Sequence, residues 1–281
     1  MVNHGGALNG VCFDSNYGDD SLTNSEIRNA LQSSFEANDI DKLEFIGYDA
    51  CLMQVQDIAE FVAPFFNYMV ASQECENECL WSYDEWLTLL YAPSVTQYLI
   101  NYGDETDRDL YYRFGGTPVI LKRIADCFVT NRAAWEQSLS VLNLSAMNDY
   151  YVQFEDLAER MYSTVYNNYE HFKDIVLQTY WPGFVPGYGY TENYHRYGVI
   201  DGYRFLWNLK NDEVFSSFTW RIDNVLNKLD QVVIYRATTD YIYNQGGCEG
   251  LCRGLSFHVL LDDYPGMTYP ISETHFYHWR G

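Results

Sequence analysis

Basic side chains are scarce in this sequence, with 17 Lys and Arg against 39 Asp and Glu, for a formal net charge of −22. Surfaces that bind phosphate are built from Lys and Arg, so the deficit argues against nucleic acid as a partner. The negative field would instead attract basic peptides, less strongly as salt screens it.

Long apolar runs are also missing. No run of about 18 apolar residues occurs, so we expect no membrane-spanning helix. The opening, MVNHGG, lacks the basic start and apolar centre of a signal peptide. Internal repeats and low-complexity tracts are absent as well.

With 47% apolar residues and 16 Phe, 26 Tyr and 7 Trp, the 281 residues can bury one substantial core, so we expect one packed domain, 1–281.

The cysteines are few and odd in number, at positions 12, 51, 75, 79, 127, 248 and 252. An odd count leaves at least one thiol to explain, and Cys51 is the candidate. The C-x3-C pairs, Cys75/Cys79 and Cys248/Cys252, could form a four-thiolate zinc site, two disulfides or unpaired thiols. Their spacing departs from the usual zinc pairs, and no EF-hand spacing is present. We therefore predict no metal site and no required cofactor, with weak calcium binding by the carboxylates left open.

The first third of the chain alternates between helix and strand patterns. Thr23 and Glu26 form a capping box that opens an amphipathic helix. Strands follow at 43–48 and 66–71, separated by a helix from about Leu52 to Val62. This alternation predicts a mostly parallel α/β sheet, in which ligands bind at the carboxyl ends of the strands.

Beyond residue 80 the pattern becomes mainly helical, and we interpret residues 81–229 as a largely helical insertion between core segments 1–80 and 230–281. Predicted helices lie near 83–91, 95–102, 117–129, 132–142, 145–166, 201–209 and 212–228. An irregular loop is expected at 180–198, and strands return at 232–235 and 255–260.

Two short segments carry residues suited to thiol chemistry. Cys51 follows a strand and precedes the predicted helix, whose N-terminus would lower a thiol pKa. His4 precedes Gly5-Gly6, where backbone N–H groups can approach a substrate carbonyl. The plainer alternatives are that Cys51 is a small buried apolar residue and His4 a turn residue.

The order of several short motifs resembles the clostripain family of caspase-like cysteine peptidases. The motifs are Asn3-His4-Gly5-Gly6, residues 10–14, Leu22-Thr23, residues 45–53 with Asp49-Ala50-Cys51, and residues 70–74 with Ser72-Gln73-Glu74. Residues 198–206 and 254–258 are similar to later family segments. The resemblance implies a caspase-like three-layer α/β/α sandwich.

The resemblance also implies roles for individual residues. His4 would be the general acid/base and Cys51 the nucleophile, with the backbone amides of Gly5 and Cys51 as oxyanion donors. Asp49 matches the acidic residue at the base of a pocket for Arg or Lys, although it could instead cap the following helix. The segment Ser72-Gln73-Glu74 would border the substrate site. The implied activity is a cysteine endopeptidase that cleaves peptides or proteins after a basic residue.

Two departures from the family pattern are visible. The family has strands before its histidine, and this chain begins almost on His4, so we expect those N-terminal strands to be missing. Residues 75–81 also replace a glycine-containing stretch that precedes a Trp in the family. A catalytically silent scaffold that binds a peptide or glycan, and a metal-organised structural protein, remain alternatives. We expect a secreted or cell-surface location.

Overall fold

A computed structural model of the chain describes residues 10–18, 20–73, 76, 81–90 (without the side chains of 88–90), 95–130, 137–179, 199–239 and 254–258. Its helices are α1 (Asn24–Asn38), α2 (Gln56–Val62), α3 (Tyr83–Leu90), α4 (Val95–Asn101), α5 (Glu105–Phe114), α6 (Gly116–Thr130), α7 (Met147–Asn167), α8 (Tyr169–Gln178), α9 (Gly202–Lys210) and α10 (Thr219–Val232). Its strands are β1 (Val11–Asp14), β2 (Asp20–Leu22), β3 (Leu43–Gly47), β4 (Phe66–Ala71), β5 (Ser138–Asn143), β6 (Val199–Asp201), β7 (Val233–Thr238) and β8 (Ser256–His258).

Helix α1 begins at the predicted capping box. The Thr23 hydroxyl accepts from the Glu26 amide at 3.2 Å, and the Glu26 carboxylate accepts from the Thr23 amide at 2.9 Å. Two amide groups at the helix start are thereby satisfied by side chains three residues apart. The prediction from the Thr23 and Glu26 spacing is confirmed.

The central sheet has the strand order β3-β4-β5-β7. Strands β3 and β4 pair in parallel, whereas β5 is antiparallel to both β4 and β7. Three of the four strands therefore run in one direction and β5 runs in the other, so the sheet is mixed, with the mostly parallel strand directions that were expected.

Helices cover both faces of this sheet. On β4, Met69 faces a core formed with α1, α2, α7, α9 and α10, while the next residue, Val70, faces a second core formed with α3 and α6. Successive side chains of a strand point to opposite faces, so one strand contributes to both cores. The result is the three-layer α/β/α arrangement that the family resemblance implies.

The prediction of a helix at 132–142 is wrong where the structure describes it, because residues 138–143 form β5. Five of its six residues are buried, including Leu139, Val141 and Leu142. A strand covered on both faces has no alternation of polar and apolar residues, so its pattern is easily mistaken for a buried helix. Residues 81–229 thus supply a strand to the central sheet. They also contain helices α5 and α8, which the sequence patterns did not indicate. The division into core and insertion stays a prediction.

A smaller antiparallel sheet, β6 with β8, lies beside the central one. An isolated parallel bridge links Ser256 of β8 to Val55, the residue that precedes α2. The predicted loop 180–198 and residues 1–9 lie outside the described residues, so the expectation of missing N-terminal strands stays a prediction.

Candidate active site

Cys51 lies in the turn that follows β3, at the carboxyl end of that strand. The Tyr48 amide extends the pairing with β4 through a 3.0 Å hydrogen bond to the Val70 carbonyl. Leu52, the residue after the thiol, has a φ of 58°, a left-handed value that residues other than glycine rarely adopt. Leu52 is also almost completely buried. Such a conformation persists only where the surrounding packing enforces it. The turn therefore holds the Cys51 thiol half-buried at the end of the strand.

Gln54 fixes the same turn from its other side. Its buried side-chain amide donates to the carbonyl and hydroxyl oxygens of Ser140 in β5, at 3.1 and 2.8 Å. Its backbone amide donates to the Ser72 carbonyl, and its carbonyl accepts from the Ser256 amide, both at 2.9 Å. The turn is thus bonded to β5, to the end of β4 and to β8. The sequence analysis did not identify Gln54.

The expected start of the second helix at Leu52 is wrong. Helix α2 begins at Gln56, and Val55, which precedes it, is held in the bridge to Ser256. The field of a helix acts mainly within its first turn. Because Cys51 lies before the connecting segment and not at the helix start, the predicted action of the helix N-terminus on its thiol has no support in this geometry.

Asp49, two residues before the thiol, is a buried carboxylate with defined partners. Its side chain is only 5% exposed. Its Oδ2 accepts from the Trp81 amide at 3.0 Å and from the Tyr83 hydroxyl at 2.8 Å. The Trp81 ring packs on Gly47, where a Cβ would lie 3.0 Å from it. Asp49 is therefore anchored by the segment that leads into α3, and it does not cap α2, whose start carries no side-chain cap.

Glu76 is a second site residue that the sequence analysis did not identify. Its backbone amide donates to Sγ of Cys51 at 3.2 Å, and the thiol donates to its carbonyl at 3.5 Å. Its Oε2 accepts from the indole N–H of Trp81 at 3.2 Å. Burial, and next the hydrogen bond to Asp49 and the charge of Asp49, raise the pKa of Glu76 well above its usual range. The only available signal was an acidic residue close to the predicted substrate segment, and its hydrogen bonds with Cys51 span 25 residues of sequence.

The predicted substrate residues Ser72 and Gln73 have buried side chains. The Gln73 amide donates to Oδ2 of Asp201 at 3.1 Å and to the Ser256 hydroxyl at 3.0 Å. The Ser72 hydroxyl lies 3.5 Å from that of Ser138. Both side chains therefore join the end of β4 to neighbouring strands, and a contact of either residue with substrate stays a prediction.

Several predicted residues lie outside the described part of the chain. They are His4, Gly5, Glu74 and the cysteines of both C-x3-C pairs, at 75, 79, 248 and 252. Their assigned roles stay predictions.

No group of three or more His, Cys, Asp or Glu side chains among the described residues is arranged to hold a metal ion. No helix in the described ranges has both the length and the apolar character needed to cross a membrane.

Comparison with solved structures gives the same fold at low sequence identity. An inactive zymogen C11 protease from Parabacteroides distasonis has a TM-score of 0.51 and 16% identity, over 95% of this chain and 64% of that one. A clostripain from Bacteroides thetaiotaomicron ATCC 29148, in complex with the peptide inhibitor BTN-VLTK-AOMK, has a TM-score of 0.54 and 13% identity, over 93% of this chain and 96% of that one. A secreted C11 cysteine protease from Bacteroides thetaiotaomicron, with an irreversible peptide inhibitor, has a TM-score of 0.57 and 16% identity, over 94% and 66%. No curated protein matches the sequence significantly.

The three-layer α/β/α sandwich, with a half-buried thiol at the carboxyl end of β3, has the caspase-like fold of those proteases. The clostripain family model, peptidase C11, matches residues 1–268. The chain belongs to the clostripain family of cysteine-type peptidases, which are hydrolases.

Proposed function

We propose that this protein is a cysteine endopeptidase that cleaves peptide bonds after Arg or Lys, with Cys51 as nucleophile and His4 as general acid/base. The observation that carries the proposal is the placement of the Cys51 thiol in a strained, rigid turn, two residues after the buried carboxylate of Asp49. Strained backbone and buried charge both cost stability, and they are commonly retained where they serve a site.

In the proposed reaction the Cys51 thiolate attacks the carbonyl carbon of the scissile bond. The backbone amides of Gly5 and Cys51 stabilise the oxyanion, and His4 protonates the departing amine. The Cys51 thioester that forms is then hydrolysed by water, which regenerates the thiol. The Glu76 amide, 3.2 Å from Sγ, is a donor that stabilises negative charge on the sulfur.

Specificity would come from Asp49. A buried carboxylate is costly to leave without a counter-charge, so a pocket built on it favours a cationic side chain before the scissile bond. The low proportion of Lys and Arg in the whole chain also favours basic substrates, because the negative field of the protein attracts basic peptides. Peptide inhibitors bound to related structures support peptides as the substrate class.

Peptides that differ only at the residue before the scissile bond test this function. We expect Arg to be preferred to Lys, and both to neutral residues, since the guanidinium can form two hydrogen bonds with carboxylate oxygens. Cys51→Ala and His4→Ala should each abolish turnover. Asp49→Asn should cost about 2–4 kcal/mol of transition-state binding for Arg substrates and little for neutral ones. Best cleavage after an acidic or aliphatic residue would refute the specificity, and retained turnover in either dyad variant would remove that residue from its role.

Labelling with iodoacetamide separates an active peptidase from a silent scaffold. Burial, followed by the charge of Glu85, raises the pKa of the Cys127 thiol, which should therefore react slowly. Cys51 should react first, near pH 6, in a peptidase. Equal rates at Cys51 and the other thiols would favour the scaffold.

A Cys-His reaction of this kind needs no metal or organic cofactor. The excess of carboxylates leaves weak calcium binding as the one ion effect to test, by measuring turnover with and without a calcium chelator.

We also propose a secreted or cell-surface location, supported by the secreted protease among the similar structures. Immunoblots of medium and cell fractions from the source organism would decide it.

A further inference from the structure

The turn that carries Cys51 is anchored at both of its ends. Before the thiol, the Tyr48 amide is bonded to β4, and after it Gln54 bonds through its backbone to the end of β4 and to β8. Between these two anchors Leu52 keeps its left-handed φ of 58°. A strained backbone of this kind relaxes when its surroundings release it, so the position of the thiol depends on both anchors.

The side chain of Gln54 starts a relay of hydrogen bonds. Its Nε2 donates to the carbonyl and to the hydroxyl of Ser140 in β5, at 3.1 and 2.8 Å. The Ser140 hydroxyl donates in turn to the Gly254 carbonyl at 2.6 Å. Carbonyl oxygens only accept, so the Ser140 carbonyl fixes which end of the Gln54 amide faces β5. The relay Gln54–Ser140–Gly254 therefore connects the turn after β3, through β5, to the segment that leads into β8.

The relay is buried and closely packed. Gln54 is 0% and Ser140 2% exposed. A Cβ on Gly254, where φ is 80°, would lie 2.6 Å from Cβ of Ser140, so only glycine allows this approach. Oε1 of Gln54 is buried and accepts no hydrogen bond from the described residues, which offsets part of the stability that Nε2 contributes. Local features that cost stability are expected mainly at functional sites.

We propose that Gln54 is a positioning residue for the Cys51 nucleophile, and that its relay through Ser140 to Gly254 holds the strained turn in the alignment needed for attack on the scissile carbonyl. This rests on the proposed function and adds to it a residue that acts through the backbone of the turn. Without the relay, the strain at Leu52 is released and the thiol moves. A displacement of about 1 Å can lower a rate about a hundredfold.

Substrate binding should be much less sensitive to the relay than the rate. Asp49, the residue proposed to bind the basic side chain, is anchored separately by the Trp81 amide and the Tyr83 hydroxyl. Loss of the Gln54 amide leaves those two bonds in place. The inference therefore predicts an effect on kcat with little effect on KM.

The test compares Gln54→Met with Gln56→Met, the same substitution two residues later. Gln56 is also buried, at 2% exposed, but its Oε1 accepts from the Tyr150 hydroxyl of α7 at 2.7 Å. With an Arg peptide, Gln54→Met should lower kcat and kcat/KM together, by about tenfold to a hundredfold, and change KM by less than about twofold. Gln56→Met should leave all three within about twofold of the wild type. Rates are expressed per thiol titrated with an irreversible peptide inhibitor, so that loss of folded protein does not count as loss of rate.

Ser140→Ala tests the relay without changing Gln54. It removes the hydroxyl and its bond to Gly254 but keeps the carbonyl that Gln54 also contacts, so kcat should fall by about three- to tenfold, the effect of one hydrogen bond. The double variant with Gln54→Met should be about as slow as Gln54→Met alone, because the two residues act as one unit. Multiplied effects would overturn the relay. If Gln54→Met does not fold, an unchanged kcat in Ser140→Ala overturns it instead.

The outcomes separate this inference from the proposed function. Equal kcat in Gln54→Met and Gln56→Met, with Cys51→Ala inactive, overturns the positioning role and leaves the proposed function intact. A raised KM with unchanged kcat in Gln54→Met also overturns it, because the residue would then act on binding. Turnover retained in Cys51→Ala refutes the proposed nucleophile, and the role of Gln54 fails with it.

Discussion

The Gln73 side-chain amide donates a 3.1 Å hydrogen bond to Oδ2 of Asp201, and Oδ1 of Asp201 accepts from the Arg204 amide at 2.8 Å. One buried carboxylate therefore caps α9 and also holds the end of β4, close to the Cys51 turn. Gln73 reaches Ser256 as well, so the two sheets are joined at this point.

Removal of that carboxylate should destabilise the protein more than loss of an ordinary helix cap. Asp201→Ala leaves two donors without their acceptor in a buried site, at a cost of about 2–4 kcal/mol. Asp14 is the matched control, because it caps a short turn through a 2.9 Å bond to the Asn16 amide but is exposed. Asp14→Ala should cost about 1 kcal/mol or less. Urea unfolding of both variants gives the comparison, and equal losses would contradict a bridging role for Asp201.

Lys122 on α6 is a buried cation that three carboxylates surround. Its side chain is 4% exposed, and Nζ lies 2.8 Å from Asp126, 3.0 Å from Asp104 and 3.3 Å from Asp107. Although burial alone would lower it, the hydrogen bonds to Asp126 and Asp104 raise the pKa of Lys122, so the side chain stays charged. Lys122→Met should cost about 3–5 kcal/mol, because it leaves the buried carboxylate of Asp107 without its nearest cation.

The pair of Arg113 and Asp109, 3.1 Å apart with side chains 53% and 58% exposed, provides the control for Lys122. Arg113→Met should change the unfolding free energy by less than about 1 kcal/mol. Similar effects of the two substitutions would mean that burial does not set the strength of the Lys122 cluster.

Glu60 on α2 should make stability fall as the pH rises. Burial, and next the charge of Glu155, raise its pKa from 4.5 to about 7, against a lowering by Arg28. The folded state therefore binds a proton more tightly than the unfolded state, and stability is lost between about pH 4.5 and about pH 7. Because the group is partly screened by solvent, we expect only about 1 kcal/mol.

Glu60→Gln should therefore match the wild type near pH 5 and exceed it near pH 8, in thermal unfolding curves at the two values. Glu159→Gln, at an exposed position of α7, is the control and should show no such difference. A wild type that is the more stable protein at pH 8 would reverse the assigned sign.

Local signals made the first part of the fold predictable. The Thr23 and Glu26 capping box, and the apolar strands at 43–47 and 66–71, are each recognisable within a few residues of sequence. Strand β5 was not predictable in this way, because its register is set by β4 and β7, which are distant in the chain. A short segment buried on both sides loses the periodicity that distinguishes strand from helix.

The candidate site shows the same division. Cys51 and Asp49 belong to one short motif, so the family resemblance could propose roles for them, and those roles stay predictions. Glu76 and Gln54 contact partners far along the chain, Cys51 and Ser140, so no spacing pattern marks them. Long-range polar contacts of this kind become visible only when the strands have been placed side by side.

Acid should destabilise the protein through His258 on β8. The side chain is fully buried, and burial lowers its pKa from 6.5 to about 4. A depressed pKa means that the unfolded state takes up a proton below about pH 6.5 while the folded state does so only near pH 4. Its contribution is thus complete above pH 6.5 and is lost as the pH falls towards 4, by roughly 3 kcal/mol in all.

His258→Leu, with His258→Gln as a second variant if the first does not fold, should remove this part of the slope of unfolding free energy against pH. His171→Gln is the control, because His171 is an exposed histidine on α8, 2.8 Å from Asp212. Urea unfolding at half-unit steps from about pH 4 to about pH 7 gives the slopes, and an unchanged slope in the His258 variants would show that other groups account for the loss of stability in acid.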